Sequence, residues 1–141
     1  MANATTDHPK LLQTVLDATD VRSLAEFYRQ LFGLVYRPGD EPPADGVPDD
    51  ADWLVLTDSA GNRVLAFQQV DQLPRNTWPR PGVPQQLHLD TTVPDRAALD
   101  RQRDRAIALG AELRLDRSED LEEPLYALAD PAGHTFCIFV R

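Results

Sequence analysis

Apolar residues along this chain follow two alternating periods. The segment from Leu11 to Asp20 alternates like a strand and ends on an aspartate suited to cap a helix. Leu24, Phe27, Tyr28 and Leu31 then recur at helical spacing, and Gly33 supplies a stop. The same order returns from Gln86. A strand leads to Asp95, a helix carries Leu99, Ala106, Ile107 and Leu109 on its apolar stripe, and Gly110 ends it. Each helix is followed by a short strand (Leu34–Arg37; Glu112–Leu115), a polar loop and a hairpin. The first hairpin joins Trp53–Thr57 to Val64–Val70 through Asp58-Ser59-Ala60-Gly61. The second joins Leu125–Ala129 to Thr135–Val140 through Asp130-Pro131-Ala132-Gly133. In such a turn the aspartate bonds its own backbone and the glycine takes a positive φ.

The order β-α-β-β-β therefore occurs twice, which predicts an α+β chain of two tandem modules. The expected organisation is a single domain over 1–141, with module one at about 11–70, a proline-rich linker at 71–85 and module two at about 86–141. A lone four-stranded module leaves one sheet face bare. Two modules with curved mixed sheets are expected to enclose a cleft, helices outside, and such a cleft holds a small molecule.

Composition narrows the classes. A formal charge of −9 argues against nucleic acid, whose phosphates require Lys and Arg, and against an anionic membrane surface. No apolar run approaches the roughly 18 residues that span a bilayer. Met1 to Lys10 lacks the apolar stretch of a signal peptide. A single cysteine, Cys137, fits a reducing cytoplasm. The acidic loops at Asp40–Asp52 and Asp116–Glu123 read as solvated segments, with steering of a cationic ligand as the sharper alternative. Arg96, Arg101, Arg103 and Arg105 alternate with Asp100 and Asp104 and read as an ion-paired helix face.

Candidate chemistry gathers on the first strand of each module. His88 and Asp90 are two apart and share a face, as a histidine and an orienting carboxylate would. They are the best catalytic candidates; the bland alternative is a histidine satisfied in a polar cleft. Asp17 either faces inward or lies solvated at a strand end. Gln13, Phe67, Gln68, Gln69 and Gln86 offer amides and a ring, and the parity that decides between Gln68 and Gln69 is open. Trp53 and Trp78 supply aromatic surface, Trp78 either as a cover over the pocket or as packing. The expected ligand-binding set is Gln13, Asp17, Trp53, Phe67, Trp78, His88 and Asp90, to which a family resemblance adds Cys137.

The run Asp20-Val21-Arg22-Ser23-Leu24-Ala25-Glu26-Phe27-Tyr28 with Leu31-Phe32-Gly33-Leu34 resembles the first helix of glyoxalase-like proteins. Asp130-Pro131-Ala132-Gly133-His134 resembles their terminal hairpin, and Trp78-Pro79 with Gln85–Asp90 is similar to one of their subgroups. The resemblance is to the vicinal-oxygen-chelate superfamily, which includes glyoxalases and bleomycin-resistance proteins, and covers about 11–141. It implies metal ligands on the first and last strand of each module. Carried over, these positions are Gln13, His88, Leu65 and Cys137, or Ala66 and Ile138 with the register moved by one. Both glutamates the superfamily uses are absent, so no metal and no cofactor is expected. A softer Zn²⁺ or Fe²⁺ site from His88, Asp90 and Cys137 is the alternative.

The resemblance implies a small-molecule-binding protein with a degenerate metal site, for a drug or a metabolite, that forms a homodimer. Bleomycin-resistance-like relatives are acidic and metal-free and hold a cationic ligand at a dimer cleft. The alternatives are an enzyme (lyase, isomerase or dioxygenase) using His88 with or without a divalent metal, and an accessory domain kept for protein contacts.

Overall fold

A computed structural model describes residues 7–141; the first six positions of the Met1–Lys10 segment lie outside the described residues. The elements are β1 (Thr14–Ala18), α1 (Val21–Phe32), β2 (Val35–Tyr36), β3 (Trp53–Thr57), β4 (Arg63–Gln69), β5 (His88–Val93), α2 (Arg96–Leu109), β6 (Glu112–Arg117), β7 (Leu125–Ala129) and β8 (Thr135–Val140). They form two four-stranded mixed sheets of equivalent topology, β1-β4-β3-β2 and β5-β8-β7-β6, in which β1 and β5 pair parallel to β4 and β8. The two tandem βαβββ modules expected from the repeat are present.

Local chemistry sets the boundaries. Asp20 and Asp95 cap the two helices, their carboxylates accepting from the Ser23 and Ala98 amides at 3.2 and 2.8 Å. Gly33, at φ 66°, turns the chain out of α1 in the left-handed region. In the hairpin turns, Asp58 accepts from the amides of Ala60 and Asn62, and Asp130 from those of Ala132 and His134. Each aspartate thus fixes its own turn.

Strand alternation sorts side chains into two faces. Leu16, Ala18, Leu54, Leu56, Leu65 and Phe67 point toward the helices in module one. Leu89, Tyr126, Leu128, Phe136 and Ile138 do so in module two. One continuous core joins the modules. Phe27 lies 5.9 Å from Phe136, and the Tyr28 hydroxyl donates to Asp130 across 2.6 Å. Arg105 of α2 donates to the Leu31 carbonyl at 2.9 Å and also to that of Gln30, satisfying orphan acceptors at the end of α1. His134 Nε2 sits 2.7 Å from the Asp17 carbonyl.

Several details differ from the sequence expectation, among them β4, which runs from Arg63 to Gln69, and β1, which begins at Thr14. Ile107 is 43% exposed, and the residues that α2 buries are Ala98, Leu99 and Ala106. β6 runs on to Arg117 because a bulge between Leu113 and Leu115 resets its pairing with β7. β2 pairs only at Val35 and Tyr36.

Candidate functional site on the open sheet faces

The faces turned away from the helices carry the candidate chemistry. On the module-two sheet, His88 and Asp90 stand together, His88 Nε2 lying 3.3 Å from Asp90 Oδ1. Register places Asp90 beside Cys137 and His88 beside Thr135. Cys137 is buried, and burial followed by the Asp90 charge pushes its thiol up to about 11. The Thr135 hydroxyl is buried and without a hydrogen-bond partner. Pairing β8 to β5 therefore gathers His88, Asp90 and Cys137 on one face.

On the module-one sheet, Asp17 is beside Gln68, and Gln68 beside Trp53, so the three form a cross-strand row. Gln13 precedes β1, its Oε1 buried and unpartnered. Gln68 is thus the glutamine on the open face. Gln69 points to the helix side, where its Oε1 accepts from the Val21 amide at 3.0 Å and its Nε2 donates to the Thr19 carbonyl at 2.5 Å. It secures the start of α1.

Two expected ligand-binding residues lie elsewhere. Phe67 is fully buried on the helix side, stacked 6.0 Å from Tyr28, because its strand parity is that of Leu65 and Gln69. Trp78 is held beside β6, its carbonyl accepting from Arg114 at 2.8 Å. β6 and β5 are opposite edges of the sheet, so Trp78 does not cover His88. The linker instead packs on the module-two hairpin, with Asn76 donating to the Gly133 carbonyl and Arg75 to that of Pro131.

The metal positions implied by the superfamily were tested against the register. Val15 pairs with Ala66, and Asp90 with Cys137, so Ala66 is the open-face residue and Leu65 belongs to the core. The donors offered are one amide oxygen of Gln13, the imidazole of His88 and the soft sulfur of Cys137. Neither last-strand position carries a carboxylate. That set does not fit a hard divalent cation. Among the described residues, no three His, Cys, Asp or Glu side chains cluster closely enough to hold a metal ion.

A hollow of about 200 Å³ lies where the β1 and β5 ends meet the linker, lined by Val15, Asp17, Gln86, Leu87 and His134 among others. The acidic loops are largely committed within the chain. Asp40 accepts from the Val55 amide and pairs with Arg37, Asp49 pairs with Arg22, and Asp116 binds Ser118. The sequence does not foretell the buried Thr135 hydroxyl or the Tyr28–Asp130 bond, and His134, legible only as a turn residue, is not among the expected site residues. Of these, only the aspartate turn leaves a mark in the sequence. No helix among the described residues is long and apolar enough to cross a membrane.

Comparisons with known proteins bear on this arrangement. The family model described as a glyoxalase-like domain matches residues 13–139. A search of curated protein sequences gives no significant match. Among solved structures, a glyoxalase/bleomycin resistance protein/dioxygenase family enzyme from Burkholderia phytofirmans is 18% identical with a TM-score of 0.66, covering 94% of this chain and 98% of that one. The fosfomycin resistance protein FosX from Mesorhizobium loti is 16% identical with a TM-score of 0.63, over 95% and 92%. Lactoylglutathione lyase from Agrobacterium tumefaciens is 20% identical with a TM-score of 0.58, over 95% of each. At these identities the structures share the fold alone, whereas the family model spans nearly every element described above, and the chain belongs to the glyoxalase-like domain family.

Proposed function

We propose that this chain is a cytoplasmic small-molecule-binding protein of the glyoxalase-like family whose metal site is degenerate, acting as one domain over 1–141. The observation that carries the reading is the donor set of the open faces. Where the superfamily pattern calls for two glutamates, Ala66 and Cys137 stand, while the exposed His88 and Asp90 keep polar atoms open to an organic ligand and Gln13 and Thr135 carry buried polar atoms without a partner. Asp17, Gln68 and Trp53 supply hydrogen bonds and a ring on the other sheet. Val35 and Val64, 52% and 37% exposed on that same face, suit cover by a second copy, so the ligand cleft of this reading is completed in a homodimer. A drug or a metabolite is the ligand class.

Native mass spectrometry of the purified protein before and after chelator, with denatured extracts searched for a released molecule, tests this reading. The expected result is a metal-free dimer that carries or accepts an organic ligand. One divalent metal per subunit, lost in His88→Ala, overturns it. The 3.3 Å His88–Asp90 pair favours a second reading, a metal-free lyase or isomerase with His88 as general base. Turnover abolished by His88→Gln, with ligand affinity retained, would select it.

A further inference from the structure

A second cleft, of about 380 Å³, lies on the other side of β5 from His88, between the end of α1 and the first turns of α2. It falls within the roughly 300–1,000 Å³ of small-ligand pockets. Its lining combines the apolar Leu31, Phe32, Val93 and Ile138 with the polar Thr91, Thr92 and Gln102. The charges on its lining are Arg101 and Arg105, with no Asp or Glu among them. In a chain of net charge −9, that is a local reversal of sign.

The two arginines have different duties. Arg105 is committed to the carbonyls of Gln30 and Leu31 and to Gln102 Oε1, the last at 3.1 Å. Arg101 makes no ion pair among the described residues, because the carboxylates beside it on α2 are taken. Asp100 accepts from the Tyr126 hydroxyl at 2.8 Å and faces Arg96, while Asp104 holds Arg103 at 2.8 Å. With Gln102 Oε1 turned to Arg105, the Gln102 amide N–H groups remain to donate. A guanidinium on a lining that also carries apolar side chains matches a carboxylate on a hydrocarbon body, since the planar fork can bind both oxygens at once.

We propose that this cleft binds an amphipathic monocarboxylate, aliphatic or aromatic, with Arg101 as the anion-binding residue. The site is distinct from the open sheet faces, so it stands or falls independently of what those faces bind. The test is amide-resolved NMR titration of the full chain with octanoate and, in parallel, with neutral octanamide. Octanoate is expected to move the Thr91, Thr92, Arg101 and Gln102 amides, with octanamide binding about tenfold more weakly. Arg101→Gln, at an exposed position that leaves the melting curve unchanged, should weaken octanoate by about fivefold or more without altering octanamide. The proposal is overturned if octanoate leaves the spectrum unchanged, if its shifts centre on His88, Asp90 and Cys137, if octanamide binds equally well, or if Arg101→Gln has no effect.

Discussion

Tyr28→Phe removes one oxygen atom and isolates the contact that ties α1 of module one to the terminal hairpin of module two. Tyr28 is fully buried, and its hydroxyl donates to Asp130 Oδ2 at 2.6 Å, a length typical of a bond to a charged acceptor. The other carboxylate oxygen takes the Ala132 and His134 amides at 2.9 and 3.0 Å, so Tyr28 alone serves Oδ2. The ring stays in the variant, and with it the packing on Phe27, Phe67 and Phe136. What is lost is one hydrogen bond to a buried charged group, about 1.5–3 kcal/mol, and the upper part of that range applies because the abandoned oxygen is cut off from water. For 141 residues, an unfolding entropy of about 2.1 cal/mol/K per residue gives about 0.3 kcal/mol/K. A loss of about 2–3 kcal/mol therefore lowers Tm by about 7–10 °C.

The pH dependence makes this prediction specific. Burial raises the Asp130 carboxyl above the ordinary carboxylate range, while His134 and the Tyr28 bond pull it back down. A raised folded value means the native state holds this proton more tightly than the unfolded chain does. The group's contribution to stability is therefore full below the ordinary carboxylate range and is lost as pH rises through the folded value. Without the hydroxyl, the folded value rises further. The Tyr28→Phe deficit must accordingly shrink as falling pH returns the proton to Asp130. Thermal unfolding followed by circular dichroism at pH 7 and at about pH 4 measures both quantities. A Tm loss below about 2 °C at pH 7, or a deficit that does not shrink in acid, would refute the reasoning.

Two further outcomes check other parts of the structure. Because burial and the Asp90 charge hold the Cys137 thiol up at about 11, alkylation by iodoacetamide at pH 8 is expected to be slow; Asp90→Asn should speed it by about two- to fivefold, and an unchanged rate would show that Asp90 does not act on the sulfur. Gln69→Ala should cost about 1–2 kcal/mol in urea unfolding and hasten hydrogen exchange at the Val21 amide, whereas Gln68→Ala on the open face stays within about 0.5 kcal/mol; equal effects would contradict the assigned strand parity.

Strand parity also separates what could be read in the sequence from what could not. Elements set by local chemistry were legible: Asp20, Asp95, Asp58 and Asp130 each bond to backbone within four residues, so their effect is written in short motifs. The two-residue spacing of His88 and Asp90 likewise fixed a common face before any pairing partner was known. Phe67, Gln68 and Gln69 were not separable, because three successive residues include both faces of a strand and only the pairing of β4 with β1 decides which is which. Whether Trp78 covers the pocket or packs elsewhere could not be read for a related reason. A proline-rich linker has no periodicity, and its position is set by Arg114, thirty-six residues downstream. The same distinction explains why the Tyr28–Asp130 bond left no signal, spanning 102 residues and depending on how the two modules dock. In a duplicated fold, what the repeat cannot encode is where its copies differ. The departures at Ala66 and Cys137, one in each module, distinguish the chemistry proposed for this chain from the superfamily pattern.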